Sequence, residues 1–477
     1  MAPIRNLFIF LTISLFCFCL FAAGSYAATI NATSASYSDV SSAVASATYG
    51  DMVYVPSGNV TWTSTLIITK GIYLLGAGQT STVITANILT QDAAIIAYSP
   101  DQKSINDDVK FRISGFGFDA TTDDNPHDTR TITISNWDAS ATTITNVRID
   151  HNTFASVGVS PIRISGQIYG VIDNNIFNVS DSGATATRFY SSQGIPWTYL
   201  TFSFGDVNNL YYEDNEINTS GTCQNLIAGG QGGRYALRYN TFSHTGVYKL
   251  APSLDAHGNQ GAGVFSIMGI EVYNNTISTT KTHSSNQLMQ LRGGMGMVFG
   301  NEVTGAYGCS NAVREEWDDA RVTCDGRTPC TASDGQPQHV SNSYFFNNTL
   351  DGSTYIDTVK DIDYDGGPEN PNDPPVLVED REWWGGNFSV QTSSTSPFDG
   401  TTGVGWGIKS NMPSTCTTGV GYWVTDEGEW NSTNGSTPDG RLYKCTATNT
   451  WEVYYTPYNY PHPLIKPSPP LNTRIVP

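Results

Sequence analysis

The sequence predicts an all-β molecule whose body is a solenoid of stacked coils, followed by a β-rich aromatic capping region. Three observations predict it. Of the 477 residues 14% are charged, 39% hydrophobic and 12% aromatic, which suits short buried strands and tight turns better than exposed helices. The pattern apolar-x-x-Asn-x-apolar recurs as Ile149-Asn152-Phe154, Ile172-Asn175-Phe177, Tyr212-Asn215-Ile217, Leu237-Asn240-Phe242, Val272-Asn275-Ile277, Val298-Asn301-Val303 and Phe345-Asn348-Leu350. From Asp351 onward the pattern stops and aromatic residues crowd the chain. The formal charge of −19 lacks the cationic excess that phosphate backbones select, so no nucleic-acid partner is expected.

Taken in order, residues 1–28 read as a signal peptide: Arg5, then an apolar run from Leu7 to Leu20, then small residues at Ser25 and Ala27 that fit a cleavage site. The chain is therefore expected to be secreted and extracellular, with no membrane span after signal removal. Six cysteines follow the signal: Cys223, Cys309, Cys324, Cys330, Cys416 and Cys445. An even count in an exported protein favours disulfides, and the sequence alone permits all 15 pairings. Cys416 with Cys445 is the pairing expected first, because the two bracket one compact aromatic segment. N-x-S/T sequons run from Asn31 to Asn434, although Asn is abundant here for a structural reason.

Residues 29–352 carry the repeat. Successive pattern asparagines lie 23, 40, 25, 35, 26 and 47 residues apart, so a short coil alternates with coils bearing insertions. One copy is too short to bury its own core. Stacked copies bury columns of apolar side chains, and an Asn at one turn of every coil can bond to its neighbours above and below. With these features the chain resembles the right-handed parallel β-helix of pectate-lyase-like proteins. The segment Asp39 to Ile84 resembles the opening of that superfamily, with a capping helix, a Pro-Ser-Gly turn and a strand entering Leu74-Leu75-Gly76-Ala77-Gly78. The resemblance implies a fold; the same scaffold holds lyases, hydrolases, epimerases and adhesins.

Residues 353–477 open on an acidic Pro/Gly linker and continue into an aromatic tail with Trp383, Trp384, Trp406, Trp423, Trp430 and Trp451. Gly419 to Pro463 alternates as hairpin strands do, and resembles tail modules of exported β-helix proteins. A cap over the open last coil is the expected role, since an uncovered strand edge invites aggregation; a carbohydrate-binding face is the alternative.

No zincin helix, nucleophile elbow, P-loop or metal-spaced His/Cys cluster occurs. The repeat itself supplies the candidate site. Short segments ending in Gly166, Gly205, Gly229, Gly258 and Gly293 align on that glycine, with Ile164, Ser203, Ile227, Ala256 and Leu291 as the inward residue. The alternation of a strand then turns Asp255, His257, Gln290 and Arg292 outward. One coil further, Arg314 is outward if Val313 is inward, with Glu315 and Glu316 beside it. The candidate catalytic residues are His257, Arg292, Arg314 and Asp255, and the candidate substrate-binding residues are Gln290, Glu315 and Glu316. Arginine binds a uronate carboxylate through two hydrogen bonds and eases removal of the adjacent carbon-bound proton. Histidine takes or returns that proton, and Asp255 orients it. Against this stands a solvated surface tied in local salt bridges.

The expected activity is a polysaccharide lyase cleaving an acidic polysaccharide or cell-surface glycan by β-elimination. The alternatives are a glycoside hydrolase using carboxylates such as Glu315, Glu316, Asp318 or Asp319, and a non-catalytic glycan-binding, adhesin or matrix solenoid. Asp361, Asp363 and Asp365 with Gly366 match the first half of a calcium loop; position twelve is Asn372 where a Glu is expected. Ca2+ is the one cofactor the sequence raises.

Overall fold

A computed structural model describes residues 27–88, 93–120, 130–136, 143–157, 160–180, 185–190, 202–220, 225–245, 254–258, 266–279, 286–305, 309–313, 340–360, 377–391 and 397–465. Among these residues, three long sheets of twelve, ten and eleven strands wind around one core. Neighbouring strands in the stack are parallel throughout, except that Thr349–Leu350 and Thr354–Tyr355 pair antiparallel. This is the expected all-β parallel β-helix, and its hand follows from the twist of strands joined by parallel crossovers. Helix Tyr37–Ser46 lies at the amino-terminal end, capped by Ser36, whose hydroxyl accepts from the Asp39 N–H; Val40, Ala43 and Val44 on its inner face are buried.

The seven repeat asparagines form one unbroken ladder. The backbone N–H and side-chain amide of Asn152 both donate to Asn175 Oδ1, at 3.0 and 3.1 Å. The same pair of bonds links Asn175 to Asn215, Asn215 to Asn240, Asn240 to Asn275, Asn275 to Asn301 and Asn301 to Asn348. Each interior Asn amide also donates to two carbonyls; for Asn240 these are Tyr212 and Arg238. A buried amide is tolerated here because its donors and acceptor are all used. The residue before each ladder Asn has a positive φ, from Asn347 at 52° to Gly300 at 64°, which makes the chain turn sharply from the first sheet into the third. Apolar pattern residues flank the turn inside the core, where Phe118, Phe154 and Phe177 stack with centroids 5.4 and 4.8 Å apart.

Parallel pairing runs past residue 352, through Thr358–Lys360 and Trp383–Gly386. A four-stranded sheet follows: Val404–Gly407, Gly421–Val424, Arg441–Ala447 and Thr450–Tyr455. Cys416, in the link between the first two of these strands, is bonded to Cys445 in the third. The tail is laid along the flank of the first sheet rather than only over the last coil. Its final segment runs back toward the amino-terminal coils: Tyr455 OH donates to Glu271, the Arg238 guanidinium to the Tyr458 and Asn459 carbonyls, the His462 N–H to Glu213, and Arg148 to the Leu464 carbonyl. The outward side chains of those coils, Tyr273, Phe299 and Phe346, stack at 4.8 and 4.9 Å beneath Trp423 and Trp430. No helix among the described residues is long and apolar enough to cross a membrane.

Candidate functional site

In the second sheet, strand Leu254–Ala256 pairs with Asn225–Gly230 on one side and Asn286–Leu291 on the other. Asp255 faces Gln290 and Ala256 faces Leu291. The ladder continues one step, since the Arg292 N–H donates to the Ala256 carbonyl and the His257 N–H to that of Gly229. Ala256, Leu291 and Val313 are fully buried in the core, so the residues on either side of Ala256 and Leu291 point away from it.

Asp255, His257 and Arg292 meet outside that wall. Arg292 Nε and Nη2 donate to the two Asp255 oxygens at 2.9 and 2.7 Å. His257 Nε2 lies 3.0 Å from Asp255 Oδ2, and His257 Nδ1 lies 2.6 Å from Arg292 Nη2. A guanidinium only donates and a carboxylate only accepts, so the geometry fits an imidazole carrying its proton on Nε2 and accepting at Nδ1. Asp255 is 2% exposed and Arg292 8%, while the His257 side chain keeps 20% of its surface open. Burial pushes the Asp255 carboxyl up, but the hydrogen bond and charge of His257 together with Arg292 outweigh it and hold it below the ordinary carboxylate range. Gln290 is half-buried on the next strand, beside Asp255.

The remaining candidates, Arg314, Glu315, Glu316, Asp361, Asp363 and Asp365, lie outside the described residues, as do Asp318 and Asp319. Two segments used for the glycine alignment sit elsewhere than expected. Gly229 pairs with Ala256, two residues from the alignment on Gly258. A slip of two leaves every side chain on its own face, which is why Ile227 is still an inward residue. Phe202 to Gly205 is not a strand of the second sheet. It lies under the tail, where the Gly205 N–H donates to Glu271, its φ is +71°, and a Cβ would meet the Thr456 carbonyl at 2.0 Å. Arg163, whose backbone stands in the same column as Asp255 three coils away, is a further outward basic residue.

A second polar cluster, on the first sheet, was not foreseen. Asp150, His151 and Asp173 bring ligand-type atoms within 4.8 Å of one another. Both carboxylates are already paired, Asp150 with Arg112 at 2.7 and 2.6 Å and Asp173 with Arg148 at 2.9 and 2.8 Å. Burial raises Asp150, and hydrogen bonds from Arg112 and His151 with the charge of Arg148 bring it down to about 2. The signal was present in the sequence, since Asp150, Asp173 and Glu213 each stand two residues before a ladder Asn. With two guanidiniums in place the cluster is an ion-pair ladder, not a cation site.

Comparison with known proteins gives one family, described as rhamnogalacturonase A/epimerase, pectate lyase-like, whose model matches residues 27–226. The match ends before the strand that carries Asp255. No curated protein matches the chain. Among solved structures, ORF18 of Geobacillus virus E2 is similar at 16% identity with a TM-score of 0.23, over 60% of this chain and 61% of that one. The chain thus spans about three-fifths of the length of that protein.

Proposed function

Because the chain belongs to the pectate-lyase-like superfamily of right-handed parallel β-helices, we propose that it is an exported lyase that cleaves an acidic polysaccharide by β-elimination. The observation that carries the reading is one imidazole held between a carboxylate and a guanidinium on the outside of a β-helix wall. In the substrate-free arrangement His257 Nδ1 accepts from Arg292 and is not available as a base. A uronate carboxylate is a stronger acceptor for Arg292 than a neutral imidazole is. On binding it takes over the Nη2 N–H that His257 accepted, while Arg292 stays paired with Asp255, and so releases the Nδ1 lone pair. His257 then takes the proton from the carbon next to the substrate carboxylate. The electron pair of that C–H bond forms the new carbon–carbon double bond, the glycosidic C–O bond on the neighbouring carbon breaks, and the leaving oxygen takes a proton from solvent or a donor at the site. Asp255 keeps the imidazole oriented and stabilises the imidazolium that forms. Arg314, the residue after Val313 in the sequence, and Ca2+ at Asp361, Asp363 and Asp365 are proposed to offset the repulsion between a polyanion and a chain of charge −19.

Hydrolysis is the second reading, favoured by the rhamnogalacturonase in the description of the matching family. Incubation of the purified protein with a panel of acidic polysaccharides separates the two. Unsaturated, ultraviolet-absorbing ends together with new reducing ends are expected; reducing ends alone would replace the lyase by a hydrolase. Binding without either signal would leave a non-catalytic solenoid.

A further inference from the structure

A cavity of about 620 Å³ lies where the last coils meet the tail sheet, on a different face of the molecule from the Asp255 cluster. The rings of Tyr355, Phe388, Trp406 and Trp423 line it, with Asn347 and Thr425 among its polar groups. The rings are fixed before any ligand arrives. Trp406 stacks on Phe388 at 5.2 Å and 15°, its indole N–H donates to the Phe388 carbonyl, and its backbone N–H donates to Gln391. Trp423 is wedged against Phe299 and Phe346 at 5.0 and 5.4 Å. The Tyr355 hydroxyl bridges the Gly386 N–H and the Phe345 carbonyl. Asn347, exposed at φ 52°, and the half-buried Thr425 stand with unspent side-chain groups as far as the described residues go.

We infer that this cavity is a binding site for an uncharged pyranose unit of a glycan. Among the described residues none that lines it is charged, so a uronate entering it would lose hydration with no cation from these walls in return. A neutral pyranose has what the walls ask for: one apolar face of C–H groups to lie on an indole, and hydroxyls around its rim to exchange with an amide and a threonine hydroxyl. The volume is within the range of ligand pockets, and the rigid rings reduce the ordering cost of binding. The site is independent of the elimination chemistry proposed for His257 and Arg292.

The test is isothermal calorimetry on the full chain, produced in a host that does not N-glycosylate because Asn347 and Asn387 begin sequons. The probes are cellobiose, β-1,4-galactobiose and L-rhamnose, with digalacturonate as the acidic comparison. Saturable binding of at least one neutral probe is expected, weakened about tenfold or more by Trp406→Ala. Asn347→Gly, which accepts the φ of 52° without strain, and Thr425→Val, which changes a half-buried side chain, are expected to weaken it several-fold at an unchanged melting temperature. If Trp406→Ala does not fold, those two variants decide. His257→Gln is expected to leave the binding intact. No saturable heat with any neutral probe, affinities untouched by the variants, or digalacturonate bound more tightly with the same variants abolishing it would overturn the inference.

Discussion

Three side chains on two adjacent coils decide the chemistry, and they differ in what their removal does. His257 keeps a fifth of its side chain open, and its loss leaves the two-pronged Arg292–Asp255 pair standing. His257→Gln is therefore expected to lower turnover of an acidic polymer about 10²- to 10⁴-fold with little change in melting temperature. Unaltered turnover in that variant removes the imidazole from the mechanism. Arg292→Ala is a different experiment. An outward arginine would be dispensable for folding if it were solvated, but this one is 8% exposed and neutralises a buried carboxylate. Removing it strands Asp255, so a destabilisation of about 3–5 kcal/mol is expected by denaturant titration, and Asp255→Asn in the same chain should recover much of it. A stability change under 1 kcal/mol would show that Asp255 finds another partner. The sequence made these residues visible through strand alternation. It could not show that the site is half inside the molecule, because burial outside the core comes from neighbouring side chains rather than from strand period.

The repeated element is the coil, and its asparagine turn was legible because one chemical requirement recurs at one place. Every ladder Asn must satisfy backbone groups of two coils, and no other side chain does so in that geometry. The glycines used to align the second sheet carry no such requirement, which is why Gly229 misleads by two residues and Gly205 altogether. Asn240→Ala strips two carbonyls of their donor and leaves the Asn215 N–H without its acceptor. A loss of about 2–4 kcal/mol is expected by denaturant titration, given about 1–3 kcal/mol for each buried group left unpaired and partial relaxation. Asn348→Ala, at the last rung, has ladder bonds on one side only and is expected to cost less. Equal losses at the two positions would mean that the rungs do not act through the neighbours on both sides. For the loop at Asp361, Asp363 and Asp365, a saturable calcium heat that Asp363→Ala abolishes is expected; its absence returns the segment to a linker.

At the scale of the whole molecule, the tail's final segment is a strap that joins coils far apart along the helix, and its polar anchors are buried. Hairpin alternation revealed the tail as β-rich but not where it docks, because docking depends on Glu213, Arg238 and Glu271, which look like surface residues in the sequence and are fully covered in the fold. His462 sits in that seam, its ring 5.1 Å from Tyr211 and 5.3 Å from Tyr458, with Nδ1 accepting from the Leu464 N–H. Burial lowers it from 6.5 to about 3, and the charges of Arg238 and Arg148 push the same way. Its folded pKa is thus below its unfolded one, and the unfolded chain binds the proton first as pH falls. The stability that neutral His462 supports is complete above pH 6.5 and is lost between 6.5 and about 3. Glu213, raised by its own burial despite Arg238, works in the opposite sense, so the pH dependence of the wild type alone does not isolate the histidine. The difference between wild type and His462→Gln does. Whatever the offset between them at pH 7, the gap is expected to move by about 3 kcal/mol in favour of the variant at pH 4, measured by denaturant titration at both values. Parallel stability curves would mean that His462 gains its proton without releasing the strap, and any acid sensitivity of the seam would then come from groups other than His462 and Glu213.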